Sequence, residues 1–138
     1  MKQIVVLTEN HAGILADLAE CLAARGINIE ELSGDANQAG GVVHLTVDLY
    51  DEALVALRDA GFQAVSEDAL VLRLADEPGA LARVAARFKS ENINVRSMRI
   101  LRREAGHTLV ALVTEEPERA ARIAGADVVV RAGGVEVQ

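Results

Sequence analysis

The chain of 138 residues has almost no aromatic side chains: Tyr50, Phe62 and Phe88, and no tryptophan. Any core must therefore be built from Ala, Val, Leu and Ile. The surface aromatics on which RNA-binding sheets stack bases are also missing. Cysteine is nearly absent as well. Cys21 stands alone, which excludes a disulfide framework within the chain. A lone thiol suits a reducing compartment, so the expected location is cytoplasmic. Positive charge is in deficit, with 14 basic against 21 acidic residues and a net charge of −7. That argues against a general binder of nucleic acid or of anionic membranes. Long hydrophobic runs are missing too. Met1-Lys2 leads straight into Ile4-Val5-Val6-Leu7, too short for a signal segment or a membrane span.

Catalytic signatures are also lacking. There is no G-x-S-x-G elbow, no P-loop and no G-x-G-x-x-G. No H-x-x-x-H or C-x-x-C spacing points to a metal, and no cofactor is expected. No arginine loop of the acylphosphatase kind follows the first strand-like run. Acidic pairs such as Glu30-Glu31 and Glu115-Glu116 read as solvated charge. Cys21 reads as a small hydrophobe in a helix. The expectation is a protein that is not an enzyme.

What is present is globular: 51% apolar and 25% charged residues. The length suits one ordinary domain or two very small ones. A module of about 65 residues buries only about 60% of its unfolded surface and is marginal alone. Sliding the sequence by 66 places overlays two halves. Ile4 falls on Leu70, and Ala12-Gly13-Ile14-Leu15-Ala16 falls on Pro78-Gly79-Ala80-Leu81-Ala82. Ile27-Asn28-Ile29 meets Ile93-Asn94-Val95, and Ala39-Gly40 meets Ala105-Gly106. No gap is needed from residue 4 to residue 49. His11, His44 and His107 do not occupy matching positions.

Each half reads as strand, helix, strand, strand, helix, strand. The strands are expected at 2–8, 27–33, 42–49 and 62–66, then at 69–75, 93–101, 108–114 and 127–131. The helices are expected at 13–25 and 51–60, then at 79–90 and 117–124. Leu15, Leu18, Ala19 and Leu22 share one helix face; Leu81, Val84, Ala85 and Phe88 share the other. Gly26 and Asn92 are natural helix stops, since both tolerate a left-handed backbone. The fold class is therefore α+β: two tandem ferredoxin-like βαββαβ domains, 1–68 and 69–138, with antiparallel sheets and helices on one face. The uncovered sheet face is also apolar, as Ile4–Leu7, Leu109–Val113 and Val128–Val130 show. Another copy or a partner is expected to cover it.

The paired motifs Asn10-His11-Ala12-Gly13-Ile14-Leu15 with Gly26-Ile27-Asn28-Ile29, and Asp76-Glu77-Pro78-Gly79-Ala80-Leu81 with Asn92-Ile93-Asn94-Val95, resemble the D/N-x-P-G-x-L and G-x-N-I signatures of ACT domains. Nearly the whole chain is covered, as two such domains end to end. It is similar to the small stand-alone tandem-ACT proteins of bacteria, which carry no catalytic domain.

The resemblance implies a regulatory protein that binds a small ligand, most often an amino acid, where two such domains lie side by side. It implies one site of Asn10, His11, Ala12, Gly13 and Ile14 with Asn94. It implies another of Asp76, Glu77, Pro78, Gly79 and Ala80 with Asn28. The expected partners are the ligand and a second copy, as a homodimer, or a regulatory partner protein. The alternative is an interaction-only subunit that docks on an enzyme and binds no ligand.

The chemistry is coherent by itself. A helix N-terminus offers free N–H groups to a carboxylate, and Gly13 and Gly79 allow close approach. The Asn10 or Asp76 oxygen could accept from an ammonium, or could simply cap a helix. Asn28 and Asn94 either meet the ligand or shape the turn into a strand. Ala12 stands where the signature and the second half have proline, so the two sites are expected to differ. The halves also differ in charge, −9 for residues 1–68 and +2 for residues 69–138. Arg96, Arg99, Arg102 and Arg103 could clamp an anion, answer the acidic half, or face water.

Overall fold

The computed structural model describes residues 2–9, 12–37, 40–131 and 135–136. The chain divides into two units, Met1–Glu67 and Asp68–Gln138. The first unit runs β1 (Ile4–Thr8), α1 (Ile14–Ala23), β2 (Ile29–Asn37), β3 (Gly40–Val47), α2 (Tyr50–Asp59) and β4 (Gln63–Ser66). The second runs β5 (Leu70–Ala75), α3 (Ala80–Ser90), β6 (Val95–Glu104), β7 (His107–Thr114) and α4 (Pro117–Ala124). A single 3-10 turn, Gly125–Asp127, then leads to β8 (Val128–Arg131) and β9 (Val135–Glu136). Sheet order is β2-β3-β1-β4 in the first unit and β6-β7-β5-β8-β9 in the second. Every pairing is antiparallel. The fold is α+β, two ferredoxin-like βαββαβ units, as the hydrophobic pattern implies. The added β9, hairpin partner of β8, has no counterpart in the sequence reading.

The helices stop where the sequence says they should. Gly26 and Asn92 adopt φ of 70° and 58°. Ile27 N donates to Leu22 O and Gly26 N to Ala23 O; Ile93 N donates to Phe88 O and Asn92 N to Lys89 O. These are paired Schellman bonds, which satisfy the last free carbonyls of each helix.

The helix starts differ from the expectation. The N-cap positions are Gly13 and Gly79, without a side-chain cap bond. Asp76 lies three residues before its helix cap and pairs instead with Arg103, Oδ1 to Nε 3.4 Å. It is not a capping residue. Asn10 lies outside the described residues.

The buried stripes are narrower than the periodicity suggests. In α1 only Leu18 and Leu22 are buried; in α3, Ala80, Val84 and Phe88 are. Leu15 is 48% exposed, and Ala19 and Ala85 face solvent. A three-turn helix resting on a sheet seals mainly one i, i+4 row. Leu18 and Leu22 pack with Ile4, Val6, Val43, Leu45 and Leu57. Val84 and Phe88 pack with Leu70, Leu72, Val110, Leu112 and Ala124. Cys21 leans on the first core, its thiol 3.4 Å from Ala56 O.

The sheet faces away from these helices carry Val5, Val65, Val71 and Val130, each 5% exposed or less.

The repeat is not ungapped to residue 49. Ile4 pairs with Leu45 and Leu70 with Leu112; Val6 pairs with Val43 and Leu72 with Val110. The third strands are thus offset by 67 places, while Leu32 and Met98, facing Leu45 and Leu112, keep 66. The extra residue is Leu101, where the β6 register jumps between Ile100 and Arg102. Strands have a side-chain period of two, so without this bulge every inward residue of β7 would turn outward. Gly40 is therefore equivalent to His107, and the Ala39-Gly40 overlay on Ala105-Gly106 is one place out.

Ala105 and Gly106 form the two-residue β6–β7 turn with φ of 49° and 79°. Positive φ at both central residues is the type I′ pattern, which favours Asn-Gly. Ala105→Asn is expected to stabilise the chain by about 0.5–1 kcal/mol, read as a higher urea midpoint at unchanged slope.

Candidate functional site

Two loops, β1–α1 and β5–α3, share one backbone device. Gly13 has φ 88°, ψ 1° and Gly79 has φ 88°, ψ −12°. Each left-handed step turns the chain from a strand end into a helix. Asp17 N then donates to Gly13 O, and Arg83 N to Gly79 O, both at 2.9 Å. The N-cap glycines have no side chain to cap with, and the positive end of each helix dipole lies at the loop mouth; in the second loop Ala80 N donates to Glu77 O at 3.3 Å. A Cβ on Gly13 would meet nothing within 4 Å. Gly13→Ala should therefore cost only the left-handed strain of an L residue, about 1–2 kcal/mol. Urea unfolding of the variant checks that figure.

Of the residues expected in the first site, Ala12 and Gly13 are exposed in the loop, and Ile14 opens α1 half-buried. Asn10 and His11 lie outside the described residues. In the second site Asp76, Glu77, Pro78 and Gly79 are exposed. Ala80 is 9% exposed and belongs to the core. Its side chain packs inward, leaving only its backbone at the loop.

The two asparagines stand elsewhere in their own units. Asn28 and Asn94 are exposed just before β2 and β6. Thr8 faces Gly41 on β3, whereas Ile29 faces Val47. Six residues of strand, about 20 Å, separate those two ends. Likewise Leu74 faces Thr108 and Val95 faces Thr114. Neither unit brings its asparagine to its own loop. Asn28 is instead fixed by Asp48: Asn28 N donates to Asp48 Oδ1 at 3.0 Å, and Asp48 N to Asn28 O at 3.2 Å.

The second loop carries two arginines absent from the motif. Arg83 Nη2 lies 2.7 Å from Glu77 Oε1, and Arg103 lies against Asp76. Both pairs are exposed, so each contributes at most about 1 kcal/mol and can be exchanged for a ligand anion. In the first unit Asp17 and Ala36 occupy the matching places. Arg103 belongs to a cluster visible in the sequence. Its link to the loop comes from the β6–β7 hairpin, where Asp76 N donates to Gly106 O at 2.9 Å.

Elsewhere, an open depression at the start of α4 is lined by Glu116, Pro117, Glu118, Arg119 and Arg122. Arg119 there is tied to Glu91 and Glu116. Among the described residues no three His, Cys, Asp or Glu side chains gather to hold a metal ion. No described helix is long and apolar enough to cross a membrane.

No curated protein matches the chain. Among solved structures, a protein of Bacteroides thetaiotaomicron aligns at 25% identity over 88% of this chain and 84% of its own, with a TM-score of 0.46. The ligand-free regulatory subunit of aspartate kinase from Thermus thermophilus aligns at 22% identity over 89% of both chains, TM-score 0.43. The corresponding Thermus flavus subunit gives 21% over 89% of both, TM-score 0.43. The ACT domain family model matches residues 69–125, which places the family likeness on the second unit, around the Gly79 loop.

Proposed function

We propose that the chain is a non-catalytic regulatory module that binds a small ligand of the amino-acid class at the loops opening α1 and α3. The observation that carries this reading is the recurrence of one device: a left-handed glycine N-cap opening the helix that follows the first strand of each unit. Such a mouth suits a carboxylate, and the Asn10 oxygen suits the ammonium. Asp76 serves the same role by exchanging Arg103 for the ligand.

The reading completes the first loop with Asn94 and the second with Asn28, each from a neighbouring unit. The placement of each asparagine far from its own loop supports that cross-pairing. Binding then shifts an assembly or conformational equilibrium by differential affinity, in a cytoplasmic homodimer or on a regulatory partner. The competing reading is a docking subunit that binds nothing in its loops. It is favoured by the exposed Leu32, Met98 and Ile100 on β2 and β6.

Titration calorimetry separates the two. Hydrogen bonds to charged groups are worth about 1.5–3 kcal/mol. Asn10→Ala combined with Asn94→Ala should therefore weaken amino-acid binding at the first site at least tenfold, with an unchanged melting curve. Undiminished binding at two sites in that variant would refute the assigned residues.

A further inference from the structure

Two arginines converge on the β5–α3 loop from different elements of the second unit. Arg83 stands one turn into α3 and reaches back to Glu77, Nη2 to Oε1 2.7 Å. Arg103 comes from the end of β6 and meets Asp76. The two carboxylates are consecutive in sequence, so both guanidinium groups sit at one loop. Arg83 also lies over Gly79: its Nη1 is 3.3 Å from the place a Cβ would take. The missing side chain of Gly79 leaves the guanidinium its room.

The first unit differs in kind. Asn10, His11, Asp17 and Ala36 stand where the second has Asp76, Glu77, Arg83 and Arg103. No arginine or lysine occupies any of these four places. A Cβ on Gly13 would meet nothing within 4 Å, so no side chain covers that glycine. The pair of cations is a property of the second loop.

The four charged side chains of that loop are 43% to 63% exposed. Ion pairs so exposed add little to stability and exchange readily for another anion. A guanidinium fork also fits a carboxylate in a bidentate way. A ligand with two carboxylates and one ammonium matches the whole exchange. Its carboxylates take the two forks from Asp76 and Glu77. Its ammonium takes the Asp76 oxygen that Arg103 gives up. A neutral amino acid has one carboxylate and engages only one of the two arginines.

We infer, resting on the reading that these loops bind amino acids, that the β5–α3 loop selects one with an acidic side chain, and that Arg83 and Arg103 set this specificity. The β1–α1 loop, with Asp17 and Ala36 in their places, does not favour acidic ligands.

Titration calorimetry on the full chain tests this with two near-isosteric pairs, L-aspartate against L-asparagine and L-glutamate against L-glutamine. Members of a pair differ in the charge of one end group, so their ratio reads the arginines. One acid is expected to bind about tenfold tighter than its amide, the scale of hydrogen bonds to a charged group. Arg83→Gln combined with Arg103→Gln should abolish that preference with an unchanged melting curve, since both side chains are exposed. Arg83→Lys keeps the charge without the fork and should keep part of the preference. An amide that binds as tightly as its acid would overturn the inference and leave the amino-acid reading standing. So would an acidic preference that survives in the double variant. Inorganic phosphate binding as tightly as the acid would reduce the arginines to a general anion patch and overturn it too. Absence of binding by all four amino acids and by the other sixteen would remove the underlying reading, and the inference with it.

Discussion

Gly40→Ala is expected to destabilise the chain by about 2–6 kcal/mol, adding backbone strain of about 1–3 to overpacking of about 1–3. Gly40 opens β3 with φ of 143°, a conformation that side chains rarely adopt. A Cβ there would stand 2.7 Å from Thr8 O, a backbone atom at the end of β1 that has no free rotation. Relief requires prising β1 from β3, the pairing at the centre of the first sheet. Gly106 makes the control. It also has positive φ, 79°, but a Cβ there meets nothing within 4 Å. Gly106→Ala should cost only about 1–2 kcal/mol. Equal urea midpoints for the two variants would mean that the close approach to Thr8 is not present in solution.

Phe88→Ala is expected to cost about 3–5 kcal/mol, the range for removing a buried aromatic and leaving a cavity. Phe88 is 1% exposed in the second core. That loss is a large fraction of the total stability of a typical domain, about 5–15 kcal/mol. Its counterpart Leu22, fully buried in the first core, should cost about 2–5 kcal/mol as alanine. Leu15 lies on the same helix as Leu22 but is half exposed. Leu15→Ala should change stability by about 0.5 kcal/mol or less. Hydrogen exchange by mass spectrometry assigns each loss to its unit. A Leu15 variant as unstable as the Leu22 variant would contradict the narrow buried stripe.

These variants show where the sequence was legible and where it was not. Element order, fold class and helix stops follow from local physics: two-residue alternation, an i, i+4 row, and Gly26 or Asn92 in the left-handed region. The bulge at Leu101 was hidden because it sits in Arg99-Ile100-Leu101-Arg102-Arg103, where no residue marks a break. The identities at Gly40 and Gly106 made an ungapped overlay look complete. Only strand register shows that these two glycines solve different problems, a close approach to Thr8 and a type I′ turn. The loop glycines were legible, but the capping role offered for Asp76 was not correct. A left-handed step at Gly79 puts three residues between that carboxylate and the helix. Arg103 could not be tied to the loop from spacing, since 27 places separate it from Asp76 and only the hairpin joins them.

The glycine-opened loops are proposed to take a small amino-acid ligand. Thermal unfolding against the twenty amino acids, with nucleotides as controls, tests it most directly. A ligand at a hundred times its dissociation constant stabilises by about 2.7 kcal/mol, several degrees for a chain of this size. The account predicts a concentration-dependent rise with one amino acid or a few of related chemistry, reduced by Asn10→Ala with Asn94→Ala. A flat response at millimolar amino acid, with a cooperative melt as baseline, would contradict it and leave the docking subunit as the standing reading.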